Sequence, residues 1–271
     1  MAFAGKRVLA LESRRARETE ELIRRNGGEP FVAPSMKEVP LESNEAAFGF
    51  AERLFAGELD TVIFLTGVGT RHLAKVVGSR YGAERLPEAL KQVTVAARGP
   101  KPLAVLRELA VPVGFVAPEP NTWRELIAVL NGHAGQKIAV QEYGKSNPEL
   151  LDALRAGGSE VMAVPVYQWT MPDDVGPLQE AVRRLHRREF DVVLLTTSQQ
   201  LVHLLEVSRD LGLEHEVMAS LQASFLASIG PTTTETLGEY GLRPAMEPSH
   251  PKLGILVKEA AERCHKMDAT T

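Results

Sequence analysis

The chain has 271 residues, of which 44% are hydrophobic and 24% are charged, a composition typical of a folded globular protein with room for two domains. A net charge of −4 gives no general attraction to nucleic acid, and no apolar run approaches the roughly 18 residues that a membrane-spanning helix needs. The single cysteine, Cys264, excludes an internal disulfide and a multi-cysteine metal site. We therefore predict a cytoplasmic protein with no nucleic-acid or membrane partner.

Strand and helix patterns alternate along the whole chain. Strands are predicted in the first half at 7–12, 29–33, 61–66, 93–97 and 113–117, with helices at 15–26, 44–57, from about 70, from about 100 to 109, and at 121–130 with Asn121 as the cap. Strands follow in the second half at 137–142, 160–165, 191–196, 225–229 and 242–246, with helices at 148–156, 175–188, from Ser198, from Pro231, and at 251–266. This alternation predicts an α/β protein whose parallel sheets are covered by helices on both faces.

The second half of the chain repeats the first at a nearly constant offset. Gly99-Pro100 corresponds to Gly230-Pro231 at an offset of 131, and Asp60 corresponds to Asp191 at the same offset. The agreement at both strand and turn positions indicates a duplication of about 130 residues, which is far longer than the units of solenoids or propellers. Each copy supplies five predicted strands, enough for one doubly wound sheet.

An extended segment bracketed by prolines follows the second strand of each copy, at 34–40 and at 166–172. The two copies could form two bodies in tandem. The chain could instead leave a first body after two strands, build a second body at about 41–165, and return to complete the first. The pattern alone does not choose between these arrangements, but in both, ligand sites are expected outside the carboxyl ends of the strands.

The turn at Gly230 has the features of an anion-binding site. The strand breaks at Gly230, Pro231 takes the first helical position, and hydroxyl residues at 232–234 occupy the turn where backbone N–H groups lack helical partners. These amides and the helix dipole favour negative charge. The corresponding turn of the first copy is Arg98-Gly99-Pro100-Lys101, where the cations add to the amides. The alternative for either turn is an ordinary capped helix.

Several motifs resemble cofactor or metal sites only in part. The sequence from Gly67 to His72 lacks the third glycine of a dinucleotide fingerprint, and Gly144-Lys145-Ser146 lacks the P-loop glycine because Ala139 stands there. The seven histidines show no ligand spacing, and no Gly-x-Ser-x-Gly elbow is present. The sequence therefore predicts neither a cofactor nor a metal.

Tyr167 lies in the second extended segment, two residues before Trp169. An aromatic side chain there could pack between two bodies. Its hydroxyl could instead face a ligand and donate a hydrogen bond or a proton. Both interpretations remain open from the residues alone.

Four segments of the chain match motifs of a known family: Ile229-Gly230-Pro231-Thr232-Thr233 with the following helix and Gly241, Val164-Pro165-Val166-Tyr167, Thr66-Gly67-Val68-Gly69-Thr70-Arg71 and Ala97-Arg98-Gly99-Pro100-Lys101. With these segments the chain resembles uroporphyrinogen-III synthases over essentially its full length. Many members of that family have a Thr-Ser pair where this chain has Thr66-Gly67, and a Thr-rich turn where it has Arg98-Gly99-Pro100-Lys101; some bacterial members resemble this chain at both departures.

The resemblance implies two flavodoxin-like, doubly wound α/β domains joined by a two-stranded linker, and it favours the exchanged arrangement. The first domain would comprise residues 1–36 and 171–271, and the second residues 39–166, with linkers at about 34–40 and 166–172. Strand-end amides and hydroxyls on both domains would then hold one acidic, flexible substrate.

The resemblance also implies an activity. Linear hydroxymethylbilane, which carries eight carboxylates, would lose water and close to uroporphyrinogen III with inversion of its D ring, in a monomeric enzyme without cofactor or metal. By match to the family motif, Tyr167 would assist loss of hydroxide, and the Gly230 turn with Thr232 and Thr233 would hold carboxylates. Charge and position add Arg98, Lys101 and Lys145 as substrate-binding candidates. The remaining candidates are Thr66, Gly67, Gly99, Tyr143 and Ser198.

Two other functions remain possible at this stage. A catalytically silent homologue could bind a tetrapyrrole or another polyanion as a regulator, and the departure from the Thr-Ser pair is compatible with this alternative. A two-domain enzyme that acts on nucleotide sugars would also bind an anion between α/β domains.

Overall fold

A computed structural model describes residues 3–130, 135–144 and 146–268, with side chains described except at Tyr143 and beyond Cys264. The elements of the first half are β1 (Arg7–Ala10), α1 (Ala16–Arg25), β2 (Glu29–Val32), β3 (Lys37–Pro40), α2 (Glu45–Phe55), β4 (Thr61–Phe64), α3 (Gly67–Tyr81), α4 (Arg85–Leu90), β5 (Thr94–Ala97), α5 (Pro100–Glu108), β6 (Phe115–Val116) and α6 (Trp123–Val129). Those of the second half are β7 (Lys137–Gly144), α7 (Pro148–Ala156), β8 (Glu160–Thr170), α8 (Gly176–His186), β9 (Val192–Leu195), α9 (Ser198–Asp210), α10 (Glu214–Ala223), β10 (Phe225–Ser228), α11 (Pro231–Glu239) and α12 (Leu253–Asp268).

The chain divides into two units. Unit 1 consists of Met1–Lys37 and Thr170–Thr271, and unit 2 consists of Glu38–Trp169. Among the described residues, every helix is too short or too polar to span a lipid bilayer.

The strands form two sheets. One has the order β10-β9-β1-β2, and the other has the order β3-β8-β7-β4-β5-β6. Parallel pairing joins the strands from β10 to β2 and from β8 to β6, which confirms the predicted α/β class. Because β1 pairs with β9 and β4 pairs with β7, each sheet combines strands from both copies of the repeat. A tandem arrangement of the copies would not give this pairing.

Apolar side chains cover both faces of each sheet. In unit 1, Leu9 belongs to a core cluster on one face, while its strand neighbours Val8 and Ala10 belong to a cluster on the other. In unit 2, Phe64 and Ile63 are divided between two clusters in the same way. Successive strand residues point to opposite faces, so strands covered on both sides read as unbroken apolar runs.

The duplication is visible in the hydrogen bonds at the amino ends of the strands. The Arg7 amide donates to Asp191 Oδ2 at 2.8 Å, and the Lys137 amide donates to Asp60 Oδ2 at the same distance. Burial opposes ionisation of the Asp191 carboxyl, but hydrogen bonds from the Arg7 amide and guanidinium outweigh it and hold its pKa below the usual value. Equivalent aspartates therefore bridge equivalent strands in the two units.

The structure corrects several details of the predicted elements. Helices α4 and α10 were not predicted. Asn121 has a φ of 60°, so it lies outside α6, and Thr122 caps that helix in a capping box with Glu125. Strand β8 continues to Thr170 through most of the segment expected to be a crossing. The strand expected at 242–246 is a single bridge from Met246 to Ala227.

Candidate active site

Thr66 lies between the carboxyl end of β4 and the first turn of α3. Its backbone is extended, with φ −141° and ψ 147°, and its hydroxyl accepts the Gly69 amide at 3.0 Å as the helix cap. The Thr66 amide donates to Gln141 Oε1 at 3.3 Å, and its carbonyl accepts the Thr70 hydroxyl at 2.7 Å. The Thr66 side chain and backbone are therefore held by the protein itself.

Tyr167 lies on β8 and is 3% exposed. Its hydroxyl oxygen is 3.4 Å from Thr66 Oγ1. The ring stacks on His72 at a centroid distance of 5.9 Å and meets Trp169 edge to face at 6.4 Å. The two interpretations of Tyr167 thus describe different parts of one side chain, since its ring packs in the core of unit 2 while its hydroxyl lies beside a polar helix start.

Helices α3 and α5 begin in close contact. A Cβ atom on Gly67 would lie 2.8 Å from the Lys101 carbonyl oxygen, so only glycine lets the two helix starts approach this closely. A Cβ atom on Gly99 would lie 2.7 Å from Asn121 Oδ1. The Arg98 amide donates to the Phe64 carbonyl at 2.9 Å and extends the β4–β5 ladder. The structure therefore brings Thr66, Gly67, Arg98, Gly99 and Lys101 together.

Two further candidates of unit 2 are only partly described. Tyr143 lies near the carboxyl end of β7, and β7 pairs with β4, so its backbone lies at the same sheet edge as Thr66. Lys145 lies outside the described residues.

The Gly230 turn of unit 1 begins α11 after β10. The Thr233 and Thr234 amides both donate to the Gly230 carbonyl, at 3.0 and 3.1 Å. Among the hydrogen bonds of the described residues, none uses the amide of Gly230 or of Thr232. Thr232 is exposed, whereas the Thr233 side chain is only 4% exposed. A ligand could therefore reach the Thr232 hydroxyl more directly than the Thr233 hydroxyl.

Ser198 is the first residue of α9, which follows β9 next to the Gly230 turn in the sheet order. The adjoining polar network was not predicted from the sequence. The buried Gln200 accepts the Thr196 amide at 2.7 Å and donates to the Leu11 carbonyl at 3.1 Å. The Thr196 hydroxyl donates to Glu12 Oε2 at 2.6 Å.

Sequence reasoning also missed Gln141 and His72 in unit 2. Gln141 is buried within a strand pattern, and its amide accepts the Thr66 amide and donates to the Glu142 carbonyl. The offset of 131 makes Gln200 equivalent to Gly69, the residue that faces Gln141, but the contacts of both glutamines are visible only in the structure. His72 enters the sequence motif only as a missing glycine, not as a ring that could stack on Tyr167.

Within the described residues, no group of three or more His, Cys, Asp or Glu side chains could hold a metal ion. A cavity of about 270 Å³ in unit 1 lies at the opposite, amino edge of the sheet. It is lined by Lys6, Arg188, Asp191 and Phe225 among others, and Asp191 is already bonded to Arg7. This cavity is separate from the candidate residues.

Comparison with known proteins identifies the family. The family model described as "HEM4: Uroporphyrinogen-III synthase HemD" matches residues 17–258. The chain belongs to the uroporphyrinogen-III synthase family.

Relatives and solved structures cover nearly the whole chain of this family member. The Bacillus subtilis (strain 168) protein named "Uncharacterized protein YjjA" is 29% identical over 262 residues, which cover 95% of this chain and 96% of the relative. A crystal structure of a mutant uroporphyrinogen III synthase from Thermus thermophilus has a TM-score of 0.74 at 23% identity, covering 97% of this chain and 100% of that one. The uroporphyrinogen-III synthetase of Helicobacter pylori 26695 has a TM-score of 0.53 at 14% identity, with coverage of 98% and 99%. The structural likenesses confirm the fold expected of a uroporphyrinogen-III synthase family member.

Proposed function

We propose that this protein is an active uroporphyrinogen-III synthase, which closes hydroxymethylbilane to uroporphyrinogen III with inversion of the D ring and loss of water. Membership of the family supports a role in tetrapyrrole synthesis. The observation that carries the specific activity is the Tyr167 hydroxyl, which lies 3.4 Å from the Thr66 hydroxyl at the carboxyl edge of the unit 2 sheet. The proposed enzyme is a cytoplasmic monomer that needs no cofactor.

Tyr167 is the proposed proton donor. The hydroxyl group of hydroxymethylbilane leaves as water once it accepts a proton, and a phenol is a sufficient acid for such a leaving group. The larger task is conformational, because unassisted closure of the flexible substrate gives the wrong isomer. Fixing the ends of the substrate in one arrangement supplies the orientation that closure with inversion requires.

The helix starts of both units are the proposed carboxylate-binding groups. Amides and hydroxyls at helix N-termini bind anions through hydrogen bonds and the helix dipole, and they suit a substrate whose charge is spread over eight carboxylates. In unit 1 these groups belong to Ser198, Gly230, Thr232 and Thr233. In unit 2 the proposal assigns the same role to the turns that contain Thr66, Gly67, Arg98, Gly99, Lys101, Tyr143 and Lys145.

The decisive test is the isomer composition of the product. Purified protein is incubated with hydroxymethylbilane, and the oxidised uroporphyrins are separated by chromatography. We expect the III isomer to dominate over the I isomer that forms without enzyme. Exclusive formation of the I isomer would instead support a catalytically silent homologue that binds tetrapyrroles.

Tyr167→Phe tests the proposed donor. We expect turnover to fall by about 10- to 100-fold with little change in thermal stability, because the buried ring is retained and only the acidic proton is lost. Tyr81→Phe is the matched control: its hydroxyl donates to Glu52 at 2.8 Å on the surface of the same unit, so its removal should leave turnover unchanged. Equal turnover rates for Tyr167→Phe and Tyr81→Phe would mean that Tyr167 contributes only by packing.

A further inference from the structure

The orientation of the Tyr167 hydroxyl depends on a neighbour that the proposed function does not explain. The packing of the ring on His72 and Trp169 fixes the position of the phenol oxygen in unit 2. Ring packing does not set the direction of the phenol proton, since an O–H group rotates to suit its partners. The Thr66 hydroxyl is such a partner, because its Oγ1 atom lies 3.4 Å from the phenol oxygen.

The Thr66 hydroxyl is held in a position where it is a good donor. It accepts the Gly69 amide at the positive end of α3, and this hydrogen bond polarises its own O–H group. Its backbone is fixed from both sides, by Gln141 at the amide and by Thr70 at the carbonyl. The Thr66 hydroxyl has a single hydrogen, so donating it to the Tyr167 oxygen leaves none for a carboxylate of the substrate.

The geometry points to Thr66 as a positioning residue that acts through Tyr167, an inference that rests on the proposed function. Thr66 Oγ1 donates its hydrogen to the Tyr167 oxygen, which leaves the phenol proton directed at the substrate. As the substrate C–O bond breaks, the electron pair leaves with oxygen, the phenol O–H bond breaks, and the proton completes the departing water. The negative charge on the phenol oxygen is then stabilised by the Thr66 hydrogen and by the N-terminus of α3.

The cycle closes without any other reactant. The final ring closure releases one proton from the pyrrole carbon that forms the new bond to the methylene carbon, and the phenolate accepts it, so Tyr167 is restored for the next turnover. The 3.4 Å separation is long for an O–H···O bond, and it should shorten when charge develops on the phenol, as catalytic hydrogen bonds do. This role replaces direct carboxylate binding by the Thr66 side chain.

The test compares Thr66→Val with Thr66→Ser. Valine retains the side-chain shape and removes the hydroxyl, so kcat should fall by about 10- to 100-fold while KM stays within about twofold. Serine retains both hydrogen bonds and should restore kcat to within about threefold of the original protein. Thr61→Val is the matched control, because Thr61 donates to Gln136 at 2.7 Å and lies at the opposite end of β4. It should lower stability without changing kcat.

A double-variant comparison separates the possible failures. If Thr66 acts through the phenol, Thr66→Val should have no further effect on kcat in the Tyr167→Phe background. An equal additional loss there, or a kcat for Thr66→Val that matches Thr61→Val, would overturn the inference while leaving the proposed function intact. If the main effect of Thr66→Val is an increase in KM, the Thr66 side chain binds a substrate carboxylate instead. Formation of the I isomer alone by the unaltered protein would overturn the proposed function itself.

Discussion

The close approach of α3 and α5 depends on the missing side chain of Gly67. A Cβ atom there would meet the Lys101 carbonyl oxygen at 2.8 Å and its carbonyl carbon at 3.1 Å, and these are backbone atoms that cannot rotate away. The Thr-Ser pair found in many members of the family would therefore not fit this packing. The departure at Gly67 is explained by the contact between two helix starts.

We predict that Gly67→Ala destabilises the protein by about 1–3 kcal/mol, the usual cost of forcing an extra methyl group into a packed site. Gly67→Ser should cost at least as much, although it restores the family pair. Gly238→Ala in α11 is the control, because nothing lies within 4 Å of its added Cβ and the change should stabilise the helix by about 0.5–1 kcal/mol. Denaturant unfolding measures all three variants, and a neutral Gly67→Ala would contradict the packing argument.

At the scale of the elements, a buried glutamine amide lies at one helix start in each unit. A strand supplies this amide in unit 2, whereas a helix supplies it in unit 1. In unit 2 the amide comes from Gln141 on β7 and fills the space above Gly69 in α3. In unit 1 it comes from Gln200 on α9 and reaches the Leu11 carbonyl after β1. The offset of 131 makes Gly69 and Gln200 equivalent. A glutamine amide therefore lies at the corresponding helix start of each unit, although the two glutamines occupy different positions of the repeat.

This exchange can be tested by transferring the glutamine. Gln141→Ala leaves the Thr66 amide and the Glu142 carbonyl without that partner, and we expect a loss of about 1–3 kcal/mol. Gly69→Gln alone should also destabilise, because its Cβ would overlap the Gln141 amide. The double variant reproduces the arrangement of unit 1 and should be more stable than the sum of the two losses predicts. Strict additivity in urea unfolding would show that the two positions do not share one space.

The elements that the sequence predicts well are those with a local signal. Pro148 and Pro231 mark helix starts that the structure confirms, and the strand β9 is an unbroken apolar run. Helices α4 and α10 lack a comparable start signal and were missed. The Asn121 cap was wrong by one residue: Asn121 has a left-handed backbone with its amide bonded to the Pro118 carbonyl, and Thr122 takes the cap position.

The candidate site residues also divide into those with a local sequence signal and those without one. The turns at Gly99 and Gly230 follow from proline and glycine positions. The contacts of Thr66 with Tyr167 and Gln141 join residues 101 and 75 positions apart, and they depend on strands that come from different copies of the repeat. No local pattern carries such information, so the roles of Gln141, Gln200 and His72 required the structure.

At the scale of the whole molecule, the two units differ in how the chain builds them. Unit 2 is continuous, whereas unit 1 combines β1 and β2 from the start of the chain with β9 and β10 from its second half, through the pairing of β1 with β9. Each unit has apolar clusters on both faces of its own sheet. We therefore propose that unit 2 is an independently folding domain and that unit 1 requires both of its segments.

We predict that a fragment of residues 38–169 unfolds cooperatively on heating. At about 130 residues it is large enough to bury roughly two thirds of the surface of its unfolded chain. Both tryptophans of the protein, Trp123 and Trp169, lie in this fragment, so their fluorescence reports unit 2 alone in the full chain as well. The fluorescence midpoints of fragment and full chain should agree within a few degrees. A fragment of residues 170–268 is the control: it lacks β1 and β2, which form half of the four-stranded sheet, and should show no cooperative transition by circular dichroism. A cooperative 170–268 fragment, or an unfolded 38–169 fragment, would mean that the units identified by packing are not units of folding.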